Sequence, residues 1–416
     1  MERELLVFLG SEAAPSLVGR LWARVRNGKA SGSFAYEESW LRRSDAIALA
    51  PALPLTGGRF HAAQPLFAAF TDPAPDSWGQ RLMRRVERIR AAAEGRQPRT
   101  LYSIDFLAGV DDRSRFGALR FKDPGGEQFL GFTGRPIPPL IELPSLLSAT
   151  DRIERGRETS EDIALVLAPG TSLGGARPKA SVRDSDGGLL VAKFPKHDDE
   201  WPVTRWEAVA LELAARAGIA VPDWRLQVVA RRPVLLLRRF DRSGEQRHPV
   251  ISAMTAVDAH DHDNQHSYLE IVDFIRRYGS APATDLEQLW RRMCFNVLIS
   301  NTDDHLRNHA FLRDPAGWRI APAFDMNPCP VDVRPRIHAL AFDERDATAS
   351  IGLLFAVAPR LGLKPARGRA IAAEVAQAVA GWRTAAKRIG LSSGHVDRMA
   401  SAFEHGDRDK LLRNSP

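Results

Sequence analysis

The periodicity of the apolar residues shifts along this chain from mainly strand-like to mainly helical, and that shift limits what it can fold into more than any other feature. Residues 1 to about 125 are rich in Gly and Pro and carry short alternating stretches such as SGSFAYEESWL, a period-two pattern that suits the strands of a β-rich unit. One helix-like segment, DSWGQRLMRRVERIRAAAEG, interrupts it. Between 160 and 240 come a Gly-rich turn, paired short strands, a helix and a further strand. After about 265 the pattern is mostly helical, and RAIAAEVAQAVAGWRTAAKRIG at 369–390 repeats its apolar residues at helical spacing. The chain thus reads as α+β, strands first and helices last. The Pro-rich GRPIPPLIELP at 134–144 is the best place for a linker, which gives expected domains of 1–125, 126–245 and 246–416.

A chain of 416 residues with 44% hydrophobic and 26% charged content has the composition of a globular protein of two or three domains. It contains no apolar run of 18 residues, and its start, MERELLVFLGSEAAP, is acidic where a secretory signal is positive. The expectation is a cytoplasmic protein that does not span a membrane. Cys294 and Cys329 are the only cysteines, too few for a disulfide scaffold and without zinc-site spacing. The net charge of +7 is spread along the chain with no polybasic tail, so it does not by itself mark a nucleic-acid surface. Of the 58 basic residues only eight are lysines, and each lysine therefore stands out.

Several segments carry chemistry, and their order matters. APGTSLGGARPKASV (168–182) sets Gly170, Gly174 and Gly175 within six positions, where backbone N–H groups can cradle phosphate. Its spacing fits neither standard phosphate-loop pattern, so a plain glycine-rich turn competes. DSDGGLLVAKFPK (184–196) then gives a tight turn and a strand that contains Lys193. An ammonium inside an apolar strand needs water or an anion, and in a chain that otherwise uses arginine a compact point charge suits phosphate; a snorkelling lysine is the alternative. PVTRWEAVALELAARAGI reads as a helix with Val209, Leu213 and Ala217 on one face and Glu207 in its first turns. That glutamate either holds the strand lysine, as in protein kinases, or sits solvated near a helix N-terminus.

FNVLISNTDDHLRNHAFL (295–312) separates Asp303 from Asn308 by four residues. This is the interval from catalytic Asp to metal-binding Asn in the kinase loop H-R-D-x-x-x-x-N, and it selects Asp303 over Asp304. Seventeen residues beyond Asn308, Asp325 in IAPAFDMNP takes the place of the kinase D-F-G aspartate, without its glycine. Each acid alone is more often a solvated or capping residue; the ordered series of Gly loop, Lys, Glu, Asp-x4-Asn and Asp is what points to phosphoryl transfer. A rival constellation for metal hydrolysis gathers His260, His262 and His266 with His305 and His309. The Asp and Asn residues interspersed among them mark a solvated loop instead.

At these residues the sequence resembles the HipA family, the serine/threonine-kinase toxins of bacterial type II toxin–antitoxin pairs. LPLTGGRF, PDSWGQRLMRR, TSLGGARPKA, VAKFPK, WEAVALELAARAGIAVP, LLRRFDR, SNTDDHLRNHAFL and APAFDMNP carry the resemblance over most of the chain. It implies a two-lobed protein-kinase-like fold with an N-terminal β-rich module and a mostly helical C-terminal lobe. It implies ATP and Mg2+ as cofactors, Asp303 as catalytic base, Asn308 and Asp325 as Mg2+ ligands, and Lys193 as the phosphate lysine paired with Glu207. Gly174, Gly175, Ala176, Arg177, Pro178 and Lys179 are implied as the nucleotide loop, Arg238, Arg239 and Phe240 as the hinge beside adenine, and His305 as a further nucleotide contact. Ser172 matches the serine that family members autophosphorylate.

The partners implied are a small HipB-like helix-turn-helix antitoxin and a protein substrate such as an aminoacyl-tRNA synthetase. This chain has no helix-turn-helix signature, so DNA is expected only through the antitoxin. T-D-D-H stands where the best-known member has T-D-G-H, and RHPVISAMTAV replaces a different substrate-side stretch, which bears on the target. The alternative is a catalytically degenerate kinase fold that holds an antitoxin on operator DNA; a small-molecule kinase is a third reading.

Overall fold

Strand β1 (Glu2–Leu9) buries Leu5, Val7 and Leu9, the period-two pattern of a sheet with one face on a core. It pairs antiparallel with β2 (Ser16–Arg26), which pairs in turn with β3 (Lys29–Tyr36). The β2–β3 turn is Asn27-Gly28, both with positive φ (51° and 75°), as a two-residue type I′ hairpin requires. Short β4 (Phe60–His61) and β5 (Leu119–Lys122) complete a five-stranded sheet of order β4-β3-β2-β1-β5. Phe34, Phe70 and Phe121 fill the core against it. The expected helix in 76–95 forms over Ser77–Ala93, and Asp76 caps it by accepting from the Gly79 amide at 2.8 Å.

The computed structural model describes residues 2–11, 13–131, 136–167, 177–260 and 265–413. The chain divides into two compact units, Met1–His197 with Val228–Ile251, and Asp198–Gln227 with Ser252–Pro416. In the first unit a second sheet has β7 (Leu189–Lys193) between β6 (Lys179–Arg183) and the strand Arg232–Arg238, all antiparallel. The helices Leu143–Glu154 and Ser160–Leu167 bury Leu146, Ile153, Ile163 and Val166 in the core that also takes Val182 and Leu190 of this sheet.

The second unit is largely helical. The helix Val203–Arg216 buries Trp206, Val209 and Leu213, and the Trp206 ring lies 6.2 Å from Trp382, itself stacked on Phe403 at 4.6 Å. The helix Pro282–Leu298 begins with proline in its first turn, where no N–H is missed, and buries Leu289, Trp290 and Met293. A two-stranded hairpin, Ala310–Arg313 with Trp318–Ile320, interrupts the helical pattern. No helix among the described residues is long and apolar enough to cross a membrane. Cys294 is buried and Cys329 half-buried, and both are free.

Candidate functional site

The helix Pro282–Leu298 runs into the T-D-D-H segment through Ser300, whose φ of 52° reverses the chain. The Ser300 hydroxyl donates to the Ala402 carbonyl (2.9 Å), and the Asn301 amide donates to the Asn296 carbonyl (2.9 Å). Such left-handed torsions are uncommon for residues other than glycine and persist where surrounding contacts over-determine them. Asp303 and Asp304 follow, adjacent in sequence and opposite in environment.

The Asp303 side chain is 70% exposed, and among the described residues its carboxylate meets only a comparably exposed group, the Arg334 guanidinium at 3.1 Å. Asp304 is 3% exposed. Its Oδ2 accepts from the Tyr268 hydroxyl, from Asn296 Nδ2 (2.8 Å) and from His309 Nε2 (2.9 Å). Burial works against charge on Asp304, but His309 and then Tyr268 beside it hold the carboxyl below its usual range. Burial and the Asp304 charge push the Tyr268 phenol well up. The Asn308 Nδ2 donates to the Asp303 carbonyl at 3.1 Å, which closes the Asp-x4-Asn loop on itself. His305 Nδ1 is buried with no hydrogen-bond partner among the described residues.

Asp325 is half-buried and has a φ of 56°. The hairpin pairs Phe311 with Ile320, and the Ala321 amide donates to the Ala310 carbonyl (2.8 Å). Asn308 precedes this hairpin and Asp325 follows it in the chain. Their donors, an amide oxygen and a carboxylate, are hard oxygens of the kind that fit Mg2+. Among the described residues no three His, Cys, Asp or Glu side chains gather to hold a metal, and His262 lies outside them.

In the first unit, Lys193 ends β7 on the face opposite the buried Leu190 and Ala192, and its cross-strand neighbour is Lys179. Lys179 opens β6 with 3% exposure, and its ammonium lies 2.7 Å from Asp76, which takes up the charge. Arg177 is half-buried and Pro178 buried. Gly174, Gly175, Ala176 and Ser172 lie outside the described residues. Arg238 is paired with Asp186 at the surface. The buried Arg239 bonds Asp241 and donates to the Ser114 and Arg115 carbonyls (2.5 and 3.0 Å), while the Phe240 ring meets Phe116 edge-on at 5.8 Å. Glu207, 3% exposed, belongs to the second unit. Sequence spacing does not reveal the Asp304 cluster, the Arg334 contact or the Asp241 network, whose partners come from distant parts of the chain.

Two histidines of the second unit set an acid limit. Burial drives His338, against the pull of Asp304, down to about 4, and burial drives His405 down to about 4 as well. A folded value below the unfolded 6.5 gives a contribution that is whole above pH 6.5 and is lost as the pH falls toward 4. Lowering the pH from 7 to 5 is expected to cost about 1–2 kcal/mol per histidine. Melting curves of a His405→Gln variant should show a visibly weaker pH dependence over that interval; an unaltered slope would mean that His405 titrates normally.

Comparison with known proteins bears on this geometry. Residues 171–382 match the HipA-like C-terminal domain, and residues 9–104 match the HipA N-terminal domain. A candidate kinase of Sinorhizobium fredii, Y4mE, is 25% identical over 315 residues, 70% of this chain and 71% of its own length. Among solved structures, HipA of Shewanella oneidensis, in a complex with HipB and operator DNA, superposes with a TM-score of 0.64 at 17% identity, covering 98% of this chain and 96% of its own.

Proposed function

Because this chain belongs to the HipA family, we propose that it is a Mg2+- and ATP-dependent protein serine/threonine kinase and the toxin of a HipA-type toxin–antitoxin pair. Its substrate is a translation component such as an aminoacyl-tRNA synthetase, and its partner a helix-turn-helix antitoxin that supplies DNA binding. The Shewanella HipA, seen with HipB and operator DNA, supports the partner. The observation that carries the enzymatic reading is the division of labour in T-D-D-H, where one acid is buried and bonded and its neighbour is presented to solvent.

Chemistry here is positional and electrostatic. Asp303 accepts the proton of the substrate hydroxyl, and the exposed Arg334 contact is weak enough to yield to it. Asn308, through its amide oxygen, and Asp325 hold Mg2+, which when bound neutralises phosphate charge. Lys193 binds phosphate. Base recognition beside Arg238–Phe240 falls to main-chain groups, since the arginine side chains are engaged elsewhere.

Purified protein should melt several degrees higher with Mg2+/ATP, since 100-fold excess over Kd stabilises by about 2.7 kcal/mol. Labelled ATP should transfer its γ-phosphoryl group to the protein, with mass spectrometry locating it at Ser172. Neither shift nor transfer would leave the degenerate, antitoxin-holding module as the better reading.

A further inference from the structure

We propose that Asp304 is the positioning residue of the phosphoryl-transfer loop, the group that determines where its neighbour Asp303 points. The inference rests on the reading of Asp303 as the group that faces the substrate hydroxyl.

Asp303 cannot hold itself in place. Among the described residues its side chain meets Arg334 alone, and at 57% and 70% exposure the two ends of that pair move with the solvent. The direction of the Asp303 side chain is therefore inherited from the backbone of residues 300–309. That backbone is anchored next door by the Asp304 carboxylate, whose single oxygen Oδ2 gathers donors from three separate places: Tyr268 on the helix Tyr268–Tyr278, Asn296 on the helix Pro282–Leu298, and His309 at the start of the hairpin. Each of these donors is buried, at 0%, 2% and 2% exposure. Asn296 is itself fixed by Asn301, whose Nδ2 donates to its Oδ1 at 3.0 Å. The Thr302 carbonyl accepts from the Ala339 amide at 3.0 Å, so the residues before Asp303 are held as well.

Asp303 lies in a turn with Thr302, and Asp304 follows it just before the 3-10 turn Leu306–Asn308, so the two carboxylates part, one buried and one at the surface. Seating Asp304 inward on three donors thus presents Asp303 outward, and the Asn308 bond to the Asp303 carbonyl fixes the far end of the same loop. A hydroxyl proton acceptor displaced by about 1 Å loses on the order of 10²-fold in rate. A carboxylate that only filled a polar gap in the core would carry no such consequence.

The test compares Asp304→Ala, Asp304→Asn and Tyr268→Phe with the wild type in steady-state transfer from ATP, with rates normalised to the fraction of folded protein. Asp304→Ala is expected to lower kcat about 10²-fold while KM for ATP stays within about 3-fold. Asparagine keeps an oxygen for the three donors and should recover most of that loss. Tyr268→Phe removes one donor without changing shape and should lower kcat about 3- to 10-fold. A purely structural role would lower the melting temperature and leave normalised kcat alone. Normalised kcat within 2-fold of wild type in Asp304→Ala overturns the proposal, as does a loss confined to KM; should that variant not fold, unchanged kcat in both other variants overturns it equally. Wild-type protein that binds Mg2+/ATP yet transfers nothing defeats the kinase reading itself, and the positioning role falls with it.

Discussion

Replacing Asp303 by alanine is expected to lower phosphoryl transfer by about 10²–10⁴-fold, the range that a positioned proton acceptor contributes. The melting temperature should stay within about 2 °C of wild type, because the side chain is 70% exposed and its ion pair with Arg334 is a surface pair. ATP-induced stabilisation should survive, since Asp303 is neither of the residues assigned to the metal nor the one assigned to phosphate. This separation of rate from stability and from nucleotide binding is what makes the variant decisive. Full activity in Asp303→Ala would remove the assignment of the base, and Asp304 could not replace it, being seated in the protein interior on three donors. An equal fall in melting temperature and rate would instead show that the loop depends on Asp303 for its shape.

The two acids also show how far sequence carries. The four-residue interval to Asn308 singles out Asp303 as the expected base, and the structure puts that acid at the surface and Asp304 in the interior. The reason for the second acid could not be read there: its donors Tyr268 and Asn296 sit 36 and 8 residues away, on two helices whose packing no local pattern specifies. Strand and helix content followed from periodicity, which is local, and the helix Ser77–Ala93 formed inside the segment whose pattern read as helical. Lys179 illustrates the opposite case. Beside two glycines it looked like part of a loop, whereas it opens β6 and its charge is met by Asp76 at the cap of that earlier helix. In LLRRFDR, too, the sequence suggested a segment facing a ligand, while Arg239 points to carbonyls some 125 residues earlier.

That last contact belongs to the network whose loss should cost the most stability. Asp241 is fully buried and accepts from Arg239 (2.9 and 2.6 Å), from Arg242 (2.6 Å) and from the Gly117 amide (2.8 Å). Both arginines also donate to the Arg115 carbonyl, and Arg242 to that of Gly117. Residues 114–117, which lead into β5 of the N-terminal sheet, are thereby bound to the chain leaving the strand Arg232–Arg238. Burial opposes the Asp241 charge, yet Arg239 and Arg242 hold its carboxyl down to about 2. A folded value below the unfolded one gives stability that is present above pH 4 and is lost as the pH falls through about 2, worth about 2 kcal/mol. Asp241→Ala should cost more, about 3–5 kcal/mol, because protonation leaves a hydrogen-bonding group in place whereas truncation strands two buried guanidinium groups. Hydrogen exchange is the measurement that resolves where the cost falls. The amides of β1–β5 and those of β6 and β7 should exchange through one common opening in the wild type and through separate openings in Asp241→Ala, the N-terminal sheet opening first. Exchange accelerated equally in both sheets, with less than 1 kcal/mol lost, would mean that the arginines find other acceptors and that the apolar cores alone join the two sheets.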